Sequence, residues 1–142
     1  MAKISFHELV LVRLRGRKGL KKFLEDLIRR EGREVERVDF IFCSDEYLLK
    51  INREYLKHDD FTDIITFDLS EQEGRLVSEI YISVERVREN AAHFGVGFEK
   101  ELHRVMFHGL LHLCGYKDKS EEESAEMRRK EEEKMRMFHV EQ

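Results

Sequence analysis

Along this chain the spacing of apolar residues switches between two and about 3.6, and each switch marks a predicted element. KISFHE (3–8) is short and alternating, which predicts an opening strand. Leu20, Phe23, Leu24, Leu27 and Ile28 recur at helical spacing, so a helix is expected over about 18–31, closed by Gly32. VERVDFIF (35–42) alternates, with Val38, Phe40 and Phe42 on one face, and reads as a strand. Ser44 is placed to cap a helix whose buried face carries Tyr47, Leu48, Ile51 and Tyr55. The polar stretch KHDDFT (57–62) reads as a loop into DIITFD (63–68), a strand rich in β-branched residues. A turn around EQEG (71–74) leads to a further alternating strand, LVSEIYIS (76–83).

The second half is helical. Ser83 caps a helix running through Phe94, with Gly95 at its end. From Phe98 to Cys114 apolar residues cover most of the helical circumference (Leu102, Val105, Met106, Phe107, Leu110, Leu111 and Leu113), the mark of a central, buried helix. Ser120 and Glu123 form a capping box for a last helix, highly charged, whose Met127, Met135 and Phe138 are available to dock on the core or a partner. There is no internal repeat and no linker. Strands and helices interleave early and helices dominate late, which predicts one α/β domain, of the α+β kind, with a mixed sheet of about four strands.

Composition narrows the class. A chain of 142 residues suits one domain, and 41% hydrophobic with 39% charged residues suits a soluble one. No apolar run approaches the roughly 20 residues of a membrane span. MAKISFHELV lacks the plan of a cleavable signal peptide. Two cysteines are too few for a disulfide framework, so a cytoplasmic protein is expected, with Cys43 in its core and no membrane partner. The net charge is −4, of which residues 120–142 hold −3. RLRGRKGLKK (13–22) is a run of six cations with no acid. It reads either as a phosphate-attracting patch or as a solvated entry to the first helix.

The chemistry concentrates in HGLLHLCGYKDK (108–119). His108 and His112, four apart, share one helical face and suit a common tetrahedral cation. Gly115 stands where the helix ends, and glycine accepts the left-handed backbone that reverses the chain. That reversal returns Asp118, an oxygen donor, over the same face. A pair of hydrogen-bonded core histidines satisfies the same spacing. Three protein ligands would leave an open position, the plan of a catalytic zinc site, where the ion can lower the pKa of a water to about 7. A zinc peptidase normally carries glutamate directly after the first histidine. Here Gly109 stands there, so hydrolysis of another bond is favoured.

HGLLHLCGY strongly resembles the signature of the YbeY family, bacterial metal-dependent endoribonucleases of ribosomal RNA maturation. INREYLKHDDFTDIITFD (51–68), SEIYIS (78–83) and Glu101-Leu102 resemble further family segments in the family's order. The resemblance implies a single YbeY-like domain over residues 1–142, with a central metal-binding helix against a four-stranded sheet. It implies one zinc ion, or another divalent metal, on His108, His112 and Asp118, the last in place of the family's usual third histidine. An arginine that commonly follows the family's tyrosine is Leu56 here, and Ser78 and Glu79 replace a common glycine and aspartate. Arg53 and Lys57 flank Leu56 as alternative phosphate contacts or as solvated surface.

Three functions follow. The leading one is single-strand-specific, metal-dependent endoribonuclease action in ribosomal RNA processing, small-subunit maturation and ribosome quality control, with the small ribosomal subunit as partner. Substrate-binding candidates are Arg53, Lys57, Thr62, Asp63, Thr66, Lys117 and Lys119, although capping a loop is the simpler role for Thr62 and Asp63. The sequence assigns no protein general base and no oligomeric state. The second function is a non-catalytic ribosome assembly factor with a structural metal. The third, a zinc peptidase, is weakened by Gly109.

Overall fold

In the computed structural model, which describes residues 3–141, the elements run β1 (Ile4–Glu8), α1 (Arg17–Arg30), β2 (Glu34–Cys43), α2 (Asp45–Tyr55), β3 (Ile64–Asp68), β4 (Arg75–Ser83), α3 (Val84–Phe94), α4 (Phe98–Leu113) and α5 (Glu121–Glu141). The sheet order is β1-β2-β4-β3. β1 and β4 both pair parallel to β2, and β3 pairs antiparallel to β4 along the edge. The expected small mixed-sheet α/β domain is therefore what the chain forms.

Side chains alternate across the sheet, and both faces are covered. Phe40, Phe42, Ile80 and Ile82 join Leu20, Leu24 and Leu27 of α1 and Met106, Phe107 and Leu110 of α4 in the main core. On the other face Ile65 meets Leu48 and Ile51 of α2, with Phe67 and Tyr81 packed alongside. Strands covered on both faces carry near-continuous apolar runs, as β2 does over Phe40–Cys43 and β4 over Ile80–Ile82.

Caps set the helix starts. The Ser44 hydroxyl accepts from Tyr47 N–H at 3.1 Å, and that of Ser83 from Arg86 N–H at 3.1 Å. Ser120 and Glu123 close their box reciprocally, at 3.1 and 3.0 Å. Each such cap is worth about 1 kcal/mol. One face differs from the periodicity. Leu48 and Ile51 of α2 are buried, but Tyr47 and Tyr55 are exposed. Asn52 takes the inward position and donates to the Asp60 carbonyl at 2.7 Å. The displaced tyrosines lie on Tyr81 and Phe67 instead.

α4 is the central helix, and Leu102, Met106, Phe107, Leu110 and Leu111 are fully buried along it. Burying a side chain of this size contributes about 1.5–3 kcal/mol each. α4 lies against β3 through Gly109, where a Cβ would stand 2.7 Å from Ile64 Cδ1. α5 packs back on α4: Met127 is buried, and the Phe138 ring lies 4.9 Å from that of Phe23 and 6.0 Å from that of Phe107. Lys130 and Lys134 of α5 reach the Glu31 carboxylate at 3.2 and 3.1 Å, and Tyr116 donates its hydroxyl proton to the same group at 2.8 Å.

Candidate functional site

α4 ends at Leu113, and Gly115, at φ 110°, turns the chain back. That conformation is open to glycine and strained for other residues. The reversal sets the Tyr116 carbonyl 3.1 Å from His112 Nδ1 and brings Asp118 Oδ2 to 3.6 Å from His108 Nε2. His108 Nδ1 lies 2.5 Å from Glu131 Oε2, on α5. A carbonyl and a carboxylate only accept, so both rings carry a proton on Nδ1. Each Nε2 is left without a protein donor.

Charge couples the same groups. Burial raises a carboxyl, yet His108 and Arg104 hold Glu131 below its ordinary value. For His108 desolvation favours the neutral ring, but the Glu131 carboxylate, with Asp118 and Asp63, raises it above the ordinary imidazole value. Arg104 is clamped between Glu101, at 2.6 and 2.9 Å, and Glu131, at 2.9 Å.

A cavity of about 590 Å³ opens before the two histidines. Its walls include His108, His112 and Asp118, Thr62, Asp63 and Thr66 from the start of β3, and Asn52, Leu56, His58 and Asp60 from the end of α2 and the following loop. Thr62 Oγ donates to the Ile64 carbonyl at 3.4 Å, the local capping role. The Asp63 carboxylate accepts from Asn90 Nδ2 at 3.4 Å, and burial pushes its pKa up against the pull of Arg104 and His108. Of the other substrate-binding candidates, Arg53 is paired with Asp59 and Lys57 is exposed at φ 59°. Lys117 lines a separate hollow beside Glu31 and Tyr116, and Lys119 is exposed. None of these four cations is on the cavity wall.

The wall contains three aspartates and, among the described residues, no lysine or arginine. Such a cleft repels phosphate unless a cation sits in it. The donor set suits one: two imidazole Nε2 atoms one helical turn apart and a carboxylate beside them. Among the described residues no three of His, Cys, Asp and Glu already stand in a metal-holding arrangement; within the expected ligand set, His108 Nε2 and Asp118 Oδ2 lie 3.6 Å apart.

Sequence reasoning passed over Glu131, Asn52 and His58. Glu131 had a signal: Met127, Glu131, Lys134 and Phe138 follow at intervals of four, three and four, so the acid occupies the inward stripe of a charged helix.

Fold and site together define a small mixed-sheet domain whose buried helix presents a histidine pair to an acidic cleft. The family model described as endoribonuclease YbeY matches residues 10–139. The chain is 54% identical over 122 residues to the Christiangramia forsetii endoribonuclease YbeY, covering 86% of this chain and 85% of that protein. It is 48% identical over 139 residues to the Flavobacterium psychrophilum endoribonuclease YbeY, covering 98% and 99%. The solution structure of TM1509 from Thermotoga maritima superposes with a TM-score of 0.64 at 31% identity, covering 97% of this chain and 90% of that one. The chain belongs to the YbeY family.

Proposed function

We propose that this chain is a metal-dependent endoribonuclease that cuts single-stranded RNA, with His108, His112 and Asp118 holding one divalent cation, zinc in the first instance. The observation that carries this reading is the pair of imidazoles on one face of α4, each with Nδ1 committed, with Asp118 beside the Nε2 of His108, at a cleft whose wall, among the described residues, lacks lysine and arginine. The relatives named endoribonuclease YbeY support the choice of RNA.

A divalent ion there supplies Lewis acidity to a phosphoryl oxygen and offsets the charge of the reacting phosphate. The chain's own residues do the placing. Glu131 and the Tyr116 carbonyl orient the two rings. Asn52 anchors the loop that carries His58 and Asp60 along the rim. Thr62, Asp63 and Thr66 line the wall opposite α4, where a single strand, with its phosphates accessible, is the substrate that fits. Ribosomal RNA within the maturing small ribosomal subunit is the proposed target, in the cytoplasm, including its quality control.

One observation favours a second reading, an assembly factor that binds without cutting. Leu56 occupies the rim at 40% exposure, and Arg53 beside it is engaged by Asp59, so the rim offers phosphate little positive charge.

The test is nuclease-free protein, loaded with zinc or manganese, on a single-stranded RNA. Cleavage is expected, lost with a chelator and in His112→Ala, whose exposed side chain leaves the fold intact by circular dichroism. Intact RNA with every divalent ion, together with retained binding to small subunits, would replace the nuclease by the assembly factor. Cleavage of a generic peptide by the loaded protein would revive the peptidase.

A further inference from the structure

We propose that Glu131 is a positioning residue for this site: its carboxylate, held by Arg104, fixes the His108 ring with the proton on Nδ1 and the lone pair of Nε2 at the cleft. The effect on metal rests on the reading given above, while the ring geometry stands apart from it.

Both Glu131 oxygens are used. Oε1 accepts from Arg104 Nη1 at 2.9 Å, and Oε2 lies 2.5 Å from His108 Nδ1. Arg104 is itself held by two bonds to the buried Glu101. The carboxylate therefore cannot rotate without breaking a buried charge-assisted bond. Glu101 and Glu131 carry two negative charges against the single positive charge of Arg104, and both acids are buried, at 3% and 5% exposure. An ion pair made for the fold alone needs only one of them, since burying an uncompensated carboxylate is costly. His108 is the second donor to Glu131, through its Nδ1 proton, which satisfies the oxygen that Arg104 leaves open. A cation held by Nε2 would supply the missing positive charge, which is how a carboxylate behind a histidine strengthens a metal ligand. Glu101, Arg104 and His108 lie on α4 and Glu131 on α5, so the last helix is part of the site.

Glu131→Gln separates this role from a purely structural one. Arg104 needs an acceptor and takes the amide oxygen, which turns the amide NH2 toward His108. The ring then accepts at Nδ1, and its proton moves to Nε2, away from the arrangement a ligand requires. The measurement is the His108 tautomer, from long-range ¹H–¹⁵N correlation of metal-free protein, taken at a pH where the same spectra show the ring to be neutral. It is paired with zinc affinity by chelator competition. Wild type is expected to show the proton on Nδ1. Glu131→Gln is expected to show it on Nε2 and to bind zinc about 10–100-fold more weakly. Glu131→Asp, which keeps a carboxylate, is expected to recover part of that affinity. A wild-type proton on Nε2 overturns the proposal without any variant. A Glu131→Gln protein matching wild type in tautomer or in zinc affinity also overturns it. If wild-type protein binds no zinc, the metal reading fails, and the tautomer comparison still decides whether Glu131 sets the ring.

Discussion

Replacing His103 with phenylalanine is expected to remove part of the acid sensitivity of the fold. His103 lies on α4 at 5% exposure, its ring 6.3 Å from that of Phe107 and edge-on to Phe138 at 5.0 Å. Nδ1 meets His139 Nε2 at 3.2 Å, and Nε2 is buried without a partner among the described residues. Burial first, and then the neighbouring His139, push its pKa down from 6.5 to about 4, with Glu99 opposing. Above 6.5 both folded and unfolded chains hold the ring neutral. Between 6.5 and about 4 the unfolded chain binds a proton that the folded chain refuses, so stability falls as the pH falls through that window. At about 1.36 kcal/mol per pH unit, going from about pH 7.5 to about pH 5 costs about 2 kcal/mol through this residue. His103→Phe keeps an aromatic ring in the slot and deletes the orphaned nitrogen, while His139 is exposed and its freed nitrogen can be solvated. Urea unfolding of both proteins at the two pH values gives the comparison. The variant is expected to be at least as stable near neutrality and to lose about 2 kcal/mol less on acidification. Equal losses in the two proteins would show that His103 is not held neutral in the folded state, and the reasoning would fail.

Gly109→Ala places a Cβ 2.7 Å from Ile64 Cδ1. A cost of about 1–3 kcal/mol from overpacking, offset by about 1 kcal/mol of helix propensity, is expected. Adding Ile64→Val should recover at least about 0.5 kcal/mol in a denaturant double-mutant cycle. Asn52→Ala removes the bond to the Asp60 carbonyl, so a stability loss of about 0.5–1.5 kcal/mol is expected by urea unfolding. A larger proportional loss is expected in RNA cleavage, because that loop forms the cleft rim. Asp118→Ala is expected to weaken zinc binding markedly in chelator competition, and Asp118→His to preserve or strengthen it. Unchanged affinity in the alanine variant would remove Asp118 from the ligand set.

Most element types were legible because the apolar period is clean. β2 and β4 keep one face in register over Val38, Phe40 and Phe42 and over Ile80 and Ile82, and the serine caps mark three helix starts. Local pattern says nothing of partners, so β4 lying between β2 and β3 was not readable. On α2 the periodic aromatics suggested a wider buried stripe than forms, because the Asn52 side chain claims the inward position for a loop contact that hydropathy does not register. The histidine pair was readable as a shared face, since i and i+4 coincide on any helix. The buried charges of α5 were not: Glu131 and Lys134 sit in a run of acids and bases that resembles a solvated surface, and only their coincidence with the apolar stripe sets them apart.

The histidines stand on the most enclosed helix of the domain, between sheet, α3 and α5, rather than on a surface flap. A ligand on both rings is held only while α4 keeps its place, and α4 shares one core with Phe107 and Leu110. Whatever grips His108 and His112 therefore stabilises the entire domain, by about 2.7 kcal/mol at a hundredfold excess over its dissociation constant. The melting temperature becomes a reporter of occupancy, and a panel of cations, each added to the metal-free protein, can be ranked by how far it delays unfolding.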